Sequence, residues 1–506
     1  MKPTKPPEPL AETQWERFSK TRNQADPRIV EQIAQFHTQR KLLTNAFWVA
    51  VAAIVAIALV TTKTSSFENI LGAGLIAIFA LLPSYMWCSG RVLGMPIFPV
   101  FALTHLWTHA SPLLSEHPIV MTYTPDSRFF ASLTVVGFLG LGTAVWFQFV
   151  KHASVPPTKY LVLKTERGDA FFLVVLFASV LFHMYTIGGW FLLDGGIFSL
   201  VRGAILGLTA LSVFVLAYRF GKQELSKTTS GLFIILLGLD MIASSASMIL
   251  VRAMSLFLLS AIAFIMGRQY IPWKTLAIVV LCFSLLHIGK GEMRSKYWYQ
   301  SFTLQPWNYP AFYAEWMETA LRSFTNNDKD NSESQSFLER SSTLQQLLLT
   351  QSETSKGLPY LDGATYAILP ELLIPRLFNS DKITSHEGTT ILNIHYGRQK
   401  REDTLKTTIG WGLLAESYAN FGLWGCAGLA MVLGIVYGYV ARWSMNMSLF
   451  SARSLFAVLL MAYAFQAEFT AGVYVAALFQ SGITLAIVSF LLMKVQDDRV
   501  KAQDAR

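Results

Sequence analysis

The stretch Met95-Pro-Ile-Phe-Pro-Val-Phe-Ala-Leu-Thr-His-Leu-Trp-Thr-His-Ala-Ser-Pro-Leu-Leu114 decides the topology of this chain. It is apolar and about long enough to cross hydrocarbon ~30 Å thick. It also carries Pro96, Pro99, Pro112, His105 and His109, so by itself it equally suits an interfacial or re-entrant segment whose backbone is satisfied by neighbours. Charge decides for a full crossing. If the segment crosses, the connections carrying Arg91, then Lys151, Lys159, Lys164 and Arg167, then Arg219, Lys222 and Lys227, then Arg268 and Lys274, then Arg442 and Arg453 all share a side with both termini. With the terminal tails, 24 basic residues lie on that side, against Lys63, Arg128, Arg202 and Arg252 at short turns opposite. The positive-inside rule makes that side the cytoplasm.

Outward from this segment, apolar runs of about 18 to 22 residues recur, as a bilayer requires at 1.5 Å per helical residue. They predict twelve spans, at Asn45–Thr62, Phe67–Trp87, Met95–Leu114, Phe129–Val150, Ala170–Trp190, Ile197–Tyr218, Leu232–Leu250, Met254–Gly267, Leu276–Ile288, Leu413–Val440, Leu455–Phe469 and Val473–Met493. The third, eighth, ninth and eleventh are the least regular. Of 506 residues 53% are hydrophobic and 14% charged, which excludes a single soluble domain, where ~25% charge is usual. Met1–Leu43 is polar and the run from Asn45 is membrane-length, so that run is expected to stay as a span and not be cleaved as an export signal. Cys88, Cys282 and Cys426 lie in or beside apolar runs without metal spacing, so neither a disulfide framework nor a zinc site is expected. The net charge of +9 is mostly a topology signal and does not call for nucleic acid. The expected fold class is therefore all-α: a polytopic membrane protein with about 12 transmembrane helices and one large, partly helical external loop. Residues 1–43 form a cytoplasmic tail, 44–290 hold spans one to nine, 291–408 the outer loop, 409–494 the last three spans, and 495–506 a second cytoplasmic tail.

The outer segment Gly291–Thr408 holds 12 Lys/Arg and 14 Asp/Glu in 118 residues. Loops this long cross membranes regardless of charge, and a structureless loop of such length is improbable unless it works. Its start is aromatic (Tyr297, Trp298, Tyr299, Trp307, Tyr309), which suits the membrane interface. Helical spacing is read over Pro310–Phe324 and more weakly over Phe337–Leu348, with a polar, mobile Asn326–Ser336 between them. Leu358–Phe378, punctuated by Pro359, Pro370 and Pro375, reads as short helical pieces lying on the membrane.

Charges in or at the ends of spans are costly and call for a partner or a function. Arg252, Lys290 and Arg294 stand at outer ends: they either snorkel to the interface or form a basic cluster for lipid phosphates, which guanidinium forks grip bidentately. Glu468 is read as simply exposed. Asp240, halfway down its helix, needs a partner on another helix, since Arg252 is too far along the chain for a local contact. In the loop, Arg340 and Arg376 are either solvated or functional, framed by proline and apolar neighbours. His386 and His395, nine apart, lack metal spacing; either is an ordinary surface histidine or a general base. The short outer turn Lys63–Ser66 has no room for the acidic pair common in transferases that use a single-phosphate lipid sugar. One external insertion after the ninth span disfavours a two-fold solute carrier, and no Gly-rich phosphate cradle exists for an ATP-driven pump.

Glu339-Arg340-Ser-Ser-Thr-Leu, Leu358-Pro-Tyr-Leu-Asp-Gly-Ala-Thr-Tyr366 with Leu373-Ile-Pro-Arg376, Ile409-Gly-Trp-Gly-Leu-Leu-Ala-Glu-Ser-Tyr-Ala-Asn-Phe-Gly-Leu-Trp-Gly425 and Met95-Pro-Ile-Phe-Pro99 look like parts of the bacterial oligosaccharide repeat-unit polymerases of the Wzy type. The chain resembles these proteins, and their relatives the O-antigen ligases, in layout: many spans, with one large outer loop between late spans. Ligases often have a histidine just before the acidic-glycine helix, where this chain has Thr407 and Thr408.

The resemblance implies glycosyl transfer at the periplasmic face of the bacterial inner membrane, between a donor glycan on polyprenyl pyrophosphate and an acceptor lipid-linked unit. A chain-length regulator protein is a further expected partner, alongside membrane lipids, and no cofactor or metal is expected. Arg340, Arg376, Arg294, Lys290 and Arg252 are the candidates for pyrophosphate, and Glu416, Asp362 and His386 for the proton of the acceptor hydroxyl. The alternatives are a lipid-linked glycan flippase or exporter, and a ligase-like transferase.

Overall fold

A backbone in hydrocarbon must satisfy its own hydrogen bonds, so the apolar runs become helices. The computed structural model describes residues 27–152, 154, 157–190, 192–193, 195–297, 302–325, 342–374, 379, 382–404 and 409–497. The helices are α1 (Pro27–Thr61), α2 (Phe67–Cys88), α3 (Ile97–His105), α4 (Pro125–Val150), α5 (Thr165–Gly188), α6 (Gly195–Gly221), α7 (Lys227–Ser245), α8 (Leu250–Arg268), α9 (Trp273–Tyr297), α10 (Tyr309–Thr325), α11 (Leu344–Ser355), α12 (Glu387–His395), α13 (Leu413–Trp443), α14 (Ala452–Ala464) and α15 (Ala471–Leu492). Among the described residues ten helices are long and apolar enough to cross a membrane, the first of them over Arg40–Thr61. The protein is an all-α, multi-pass membrane protein.

The two remaining expected spans are the irregular ones. From Ile97 the deciding segment runs helically through a π turn at Leu106–Ala110 and on through Ser111–Leu114. Eighteen residues rise about 27 Å, which is enough for a crossing. Pro96 and Pro99 sit at the helix start, where a missing N–H costs nothing, and Pro112 lacks the N–H that Thr108 would receive, just after the widened turn. Most of its side chains are buried, so it is an inner element of the bundle. The stretch expected as the eleventh span holds the 13-residue apolar α14, shorter than the ten helices long enough to cross.

The longest packed pair is α4 against α13. Gly434 and Gly438 form a small-xxx-small step, and a Cβ at Gly434 would stand 2.8 Å from the Gly142 carbonyl oxygen. α13 is not continuous: Phe421 and Gly422 (φ 59°, ψ −143°) interrupt it, leaving a buried segment Leu413–Asn420 ahead of the lipid-facing Leu423–Trp443. α9 outruns its predicted end at Ile288 by more than two turns, into the segment assigned to the loop, because amphipathic α10 covers it. Trp316 of α10 is fully buried over Gly289 and donates to the Leu286 carbonyl at 2.7 Å.

α10 answers the helix expected at Pro310–Phe324. Of the second expected helix, residues 337–341 lie outside the described residues; a helix runs over Leu344–Ser355 and lies against α13 and α4, with Gln351 donating to Thr134. Short turns at Ala364–Ala367 and Leu369–Leu372 answer the proline-punctuated stretch. Residues 326–336, including the stretch read as mobile, lie outside the described residues. At the opposite end of the bundle, strand β1 (Lys159–Leu163) pairs antiparallel with β2 (Met493–Asp497), a two-stranded addition to the helical fold.

Candidate functional site

Two groups of cations stand at the helix ends near segment 291–408: Arg202 with Arg252, and Lys290 with Arg294, whose guanidinium also donates to the Met248 carbonyl at 2.8 Å. Arg202 lies near the start of α6, Arg252 near the start of α8, and Lys290 and Arg294 in the last two turns of α9. Arg202 and Arg252 lie within electrostatic reach of each other, and the carboxylate of Glu468, between α14 and α15, faces both Lys290 and Arg294. Arg202 and Glu468 remain accessible to solvent although protein surrounds most of each side chain, which describes the wall of an open crevice. The floor is polar: Gln466 donates to Ser255 of α8 at 3.1 Å, and Gly203 leaves room for Gln480.

His386 stands just ahead of α12, on the Ser385–Gly388 turn, and faces Arg202. Crowding by protein and then the nearby guanidinium hold its imidazole below the ordinary histidine range. It is therefore neutral near pH 7, the state that accepts a proton.

Of the residues singled out from sequence, Arg252 and His386 both lie within electrostatic reach of Arg202, and Lys290 and Arg294 of Glu468. Glu468 is exposed, as read from sequence. Arg340 and Arg376 lie outside the described residues, as do Thr407 and Thr408. Glu416 is not at the open top of a helix: it is fully buried in Leu413–Asn420, and its Oε2 accepts the Ala471 N–H at 2.6 Å, at the first turn of α15. A carboxylate suits the positive end of a helix. Its Oε1 lies 3.7 Å from where a Cβ of Gly388 would stand, so Glu416 supports the turn bearing His386 from beneath. Asp362 is exposed and left-handed (φ 46°), on a turn clipped to the buried segment by Leu361 N–H to Ala419 O and Gly363 N–H to Asn420 Oδ1.

Asp240 has the partner on another helix that its depth demanded. His183 Nε2 of α5 stands 3.9 Å from Asp240 Oδ1, both side chains buried, with Ser179 and Arg252 also within reach.

Two features escaped the sequence reading. Arg202 was counted only as a residue of a short turn. The Thr104-His105-Leu-Trp-Thr108-His109 repeat places two buried imidazoles one turn apart, stacked at 4.8 Å. Thr108 donates to the Thr104 carbonyl, so its oxygen accepts from His109 Nδ1–H at 2.8 Å and leaves Nε2 facing Thr343. They line a cavity of about 20 Å³ shared with Tyr463 and Gln466, the size of one water molecule, directly behind the cation crevice. The i, i+4 spacing of the repeat was the available signal.

A second cavity of about 670 Å³ opens between α7 and α9 under the roof of α10, lined by Leu239, Ile242, Cys282, Phe283 and Leu286 below Tyr313. Phe283 and Lys290 are seven residues apart on α9 and share one face, so this apolar groove runs along the helix toward the cations.

No known protein family, no curated protein and no solved structure matches this chain.

Proposed function

We propose that the protein is an oligosaccharide repeat-unit polymerase of the inner membrane, with both termini in the cytoplasm and the cation crevice facing the periplasm. The observation that carries this reading is the Arg202 and Arg252 pair with an accessible His386 within electrostatic reach of Arg202, and Lys290 and Arg294 about Glu468 support it. A hydroxyl oxygen of the incoming lipid-linked unit attacks the anomeric carbon of the growing chain. The bond from that carbon to the pyrophosphate oxygen breaks, the polyprenyl pyrophosphate leaves with the electron pair, and the hydroxyl proton passes to His386. The developing charge falls on the leaving group, and fixed guanidinium and ammonium groups stabilise it without reorganising. The apolar groove below Lys290 suits the hydrocarbon chain of such a donor. Arg340 and Arg376 remain proposed contributors to pyrophosphate binding.

A second reading, a lipid-linked glycan flippase or exporter, draws on the buried Asp240–His183 pair, since ionisable pairs inside spans often serve proton coupling. Purified protein in vesicles with synthetic lipid-linked units separates the two. A polymerase yields a ladder of longer glycans, weakened about 100-fold but measurable in Arg202→Gln and Arg294→Gln. Transfer of unextended units across the bilayer, without a ladder, would reject the polymerase reading.

A further inference from the structure

A pocket of about 200 Å³ opens at the other end of the bundle, the end that carries β1–β2. Ser154, Tyr439, Arg442, Trp443 and Arg453 line it, where the last turn of α13 meets the first turn of α14. It is remote in the fold from the cation crevice: Arg202 and Arg252 begin their helices where Arg442 ends its own.

The two arginines are unusual in their surroundings. Among the described residues, the carboxylates that form ion pairs at this end do so elsewhere: Asp169 and Glu224 with Arg219, and Asp497 with Lys159. Among the described residues neither Arg442 nor Arg453 forms an ion pair. Arg453 sits in the first turn of its helix, where the macrodipole disfavours a cation, so its own helix does not explain it. Its guanidinium instead lies over the Trp443 ring, 4.9 Å from the centroid. That arrangement keeps it beside Arg442 at the pocket mouth.

The rim shows what comes to the pocket. Val432, Val436, Tyr439 and Trp443 recur at three- and four-residue steps on α13, and all are exposed, at 55%, 38%, 56% and 37%. They make an apolar stripe facing hydrocarbon, ending in Tyr and Trp as membrane interfaces favour. An acyl chain lying along this stripe carries its glycerol and phosphate to the guanidinium pair. Arginine forks match phosphate oxygens bidentately, and basic pockets between spans hold anionic headgroups.

We propose that this pocket binds the phosphodiester of an anionic membrane phospholipid, with its chains along Val432–Trp443 and its phosphate between Arg442 and Arg453. A zwitterionic lipid brings a cation of its own to a pocket with no carboxylate, so it binds more weakly.

Native mass spectrometry of delipidated full-length protein, titrated with phosphatidylglycerol or phosphatidylcholine, tests this. One phosphatidylglycerol should be retained per chain, about tenfold more tightly than phosphatidylcholine. The double variant Arg442→Gln/Arg453→Gln should lose that preference, while Arg268→Gln, a basic residue at the same end, should keep it. Arg442→Lys/Arg453→Lys keeps the charges and should retain an intermediate preference, which covers the case in which the Gln variant fails to fold. Equal retention of the two lipids by the wild type, or an undiminished preference in both double variants, overturns the proposal. Displacement of the lipid by inorganic phosphate alone would also overturn it, because the pocket would then be a small-anion site.

Discussion

Arg252→Met separates a binding role from a structural one, because the two give opposite signs. The substitution keeps most of the side-chain volume and removes the charge. Arg252 feels Arg202 as a like charge and Asp240 as an opposite one. At an effective dielectric near 20 a neighbouring unit charge contributes on the order of 2 kcal/mol, and solvent around the accessible Arg202 lowers its share toward about 1 kcal/mol. Asp240 returns a comparable amount, though it also has His183. Charge removal should therefore shift stability by only about 1 kcal/mol either way, whereas truncating one partner of a purely structural buried ion pair costs ~3–5 kcal/mol. Turnover should fall about 100-fold, about 2.8 kcal/mol of lost leaving-group stabilisation. Pyrophosphate should raise the melting temperature of the wild type in detergent and leave Arg252→Met unmoved. The assay is thermal unfolding with and without pyrophosphate, alongside polymer synthesis from synthetic lipid-linked units. A variant that melts many degrees lower yet is still protected by pyrophosphate would mean that Arg252 serves Asp240 alone, and the site would lose one of its cations.

Four further outcomes follow from the same geometry. Burial and the nearby Arg202 hold the His386 imidazole below its ordinary range; Arg202→Gln removes one cause, raises that value, and should move the acid limb of the activity profile to higher pH, so an unmoved limb would disconnect the two residues. Gly422→Ala forces a side chain into φ 59°, ψ −143°, with the Tyr360 hydroxyl 2.7 Å from the new carbon; a loss of about 1–3 kcal/mol in denaturation is expected, against none for Gly428→Ala, which has open space. On the proposed reading, in which side-chain cations meet the pyrophosphate, polymer synthesis should persist in EDTA, and loss restored by magnesium would count against that mechanism. In a background without Cys88, Cys282 and Cys426, an impermeant thiol reagent should label Ser334→Cys from outside and leave Lys159→Cys untouched; external labelling at 159 would break the topology.

The spans were legible because length and apolarity are local properties, and a run such as Phe67–Trp87 has no other stable state in hydrocarbon. Where a second element supplies the cover, local reading stopped short. α9 continues from Ile288 to Tyr297 through Lys290, Glu292 and Arg294 because the Trp316 face of α10 lies over it, and Trp316 is 27 residues away from Gly289 in sequence. The cation crevice was half legible. Arg252, Lys290 and Arg294 announced themselves by standing at span ends, but Arg202 looked like a turn residue. Only folding brings position 202 near 252 and 386, and position 468 near 290 and 294.

Glu416 shows most clearly how the fold sets the surroundings of a residue read from a motif. Ala415-Glu416-Ser417 precedes Phe421-Gly422, and without the helix break at that glycine Glu416 would continue the spanning helix to an open end. With the break, Leu413–Asn420 turns inward and is sealed by the segment Leu361–Thr365, Asn420 bonding Gly363 N–H, Thr365 Oγ1 and the Glu416 carbonyl at once. The buried carboxylate then meets the Ala471 N–H from below and the Ser385–Gly388 turn from the side. The carboxylate is tied by Oε2 to the start of α15, while Oε1 is buried with no hydrogen-bond partner among the described residues and lies close to Gly388, two residues from His386. The two candidate proton acceptors therefore differ in access: the imidazole is exposed and the carboxyl is enclosed by protein.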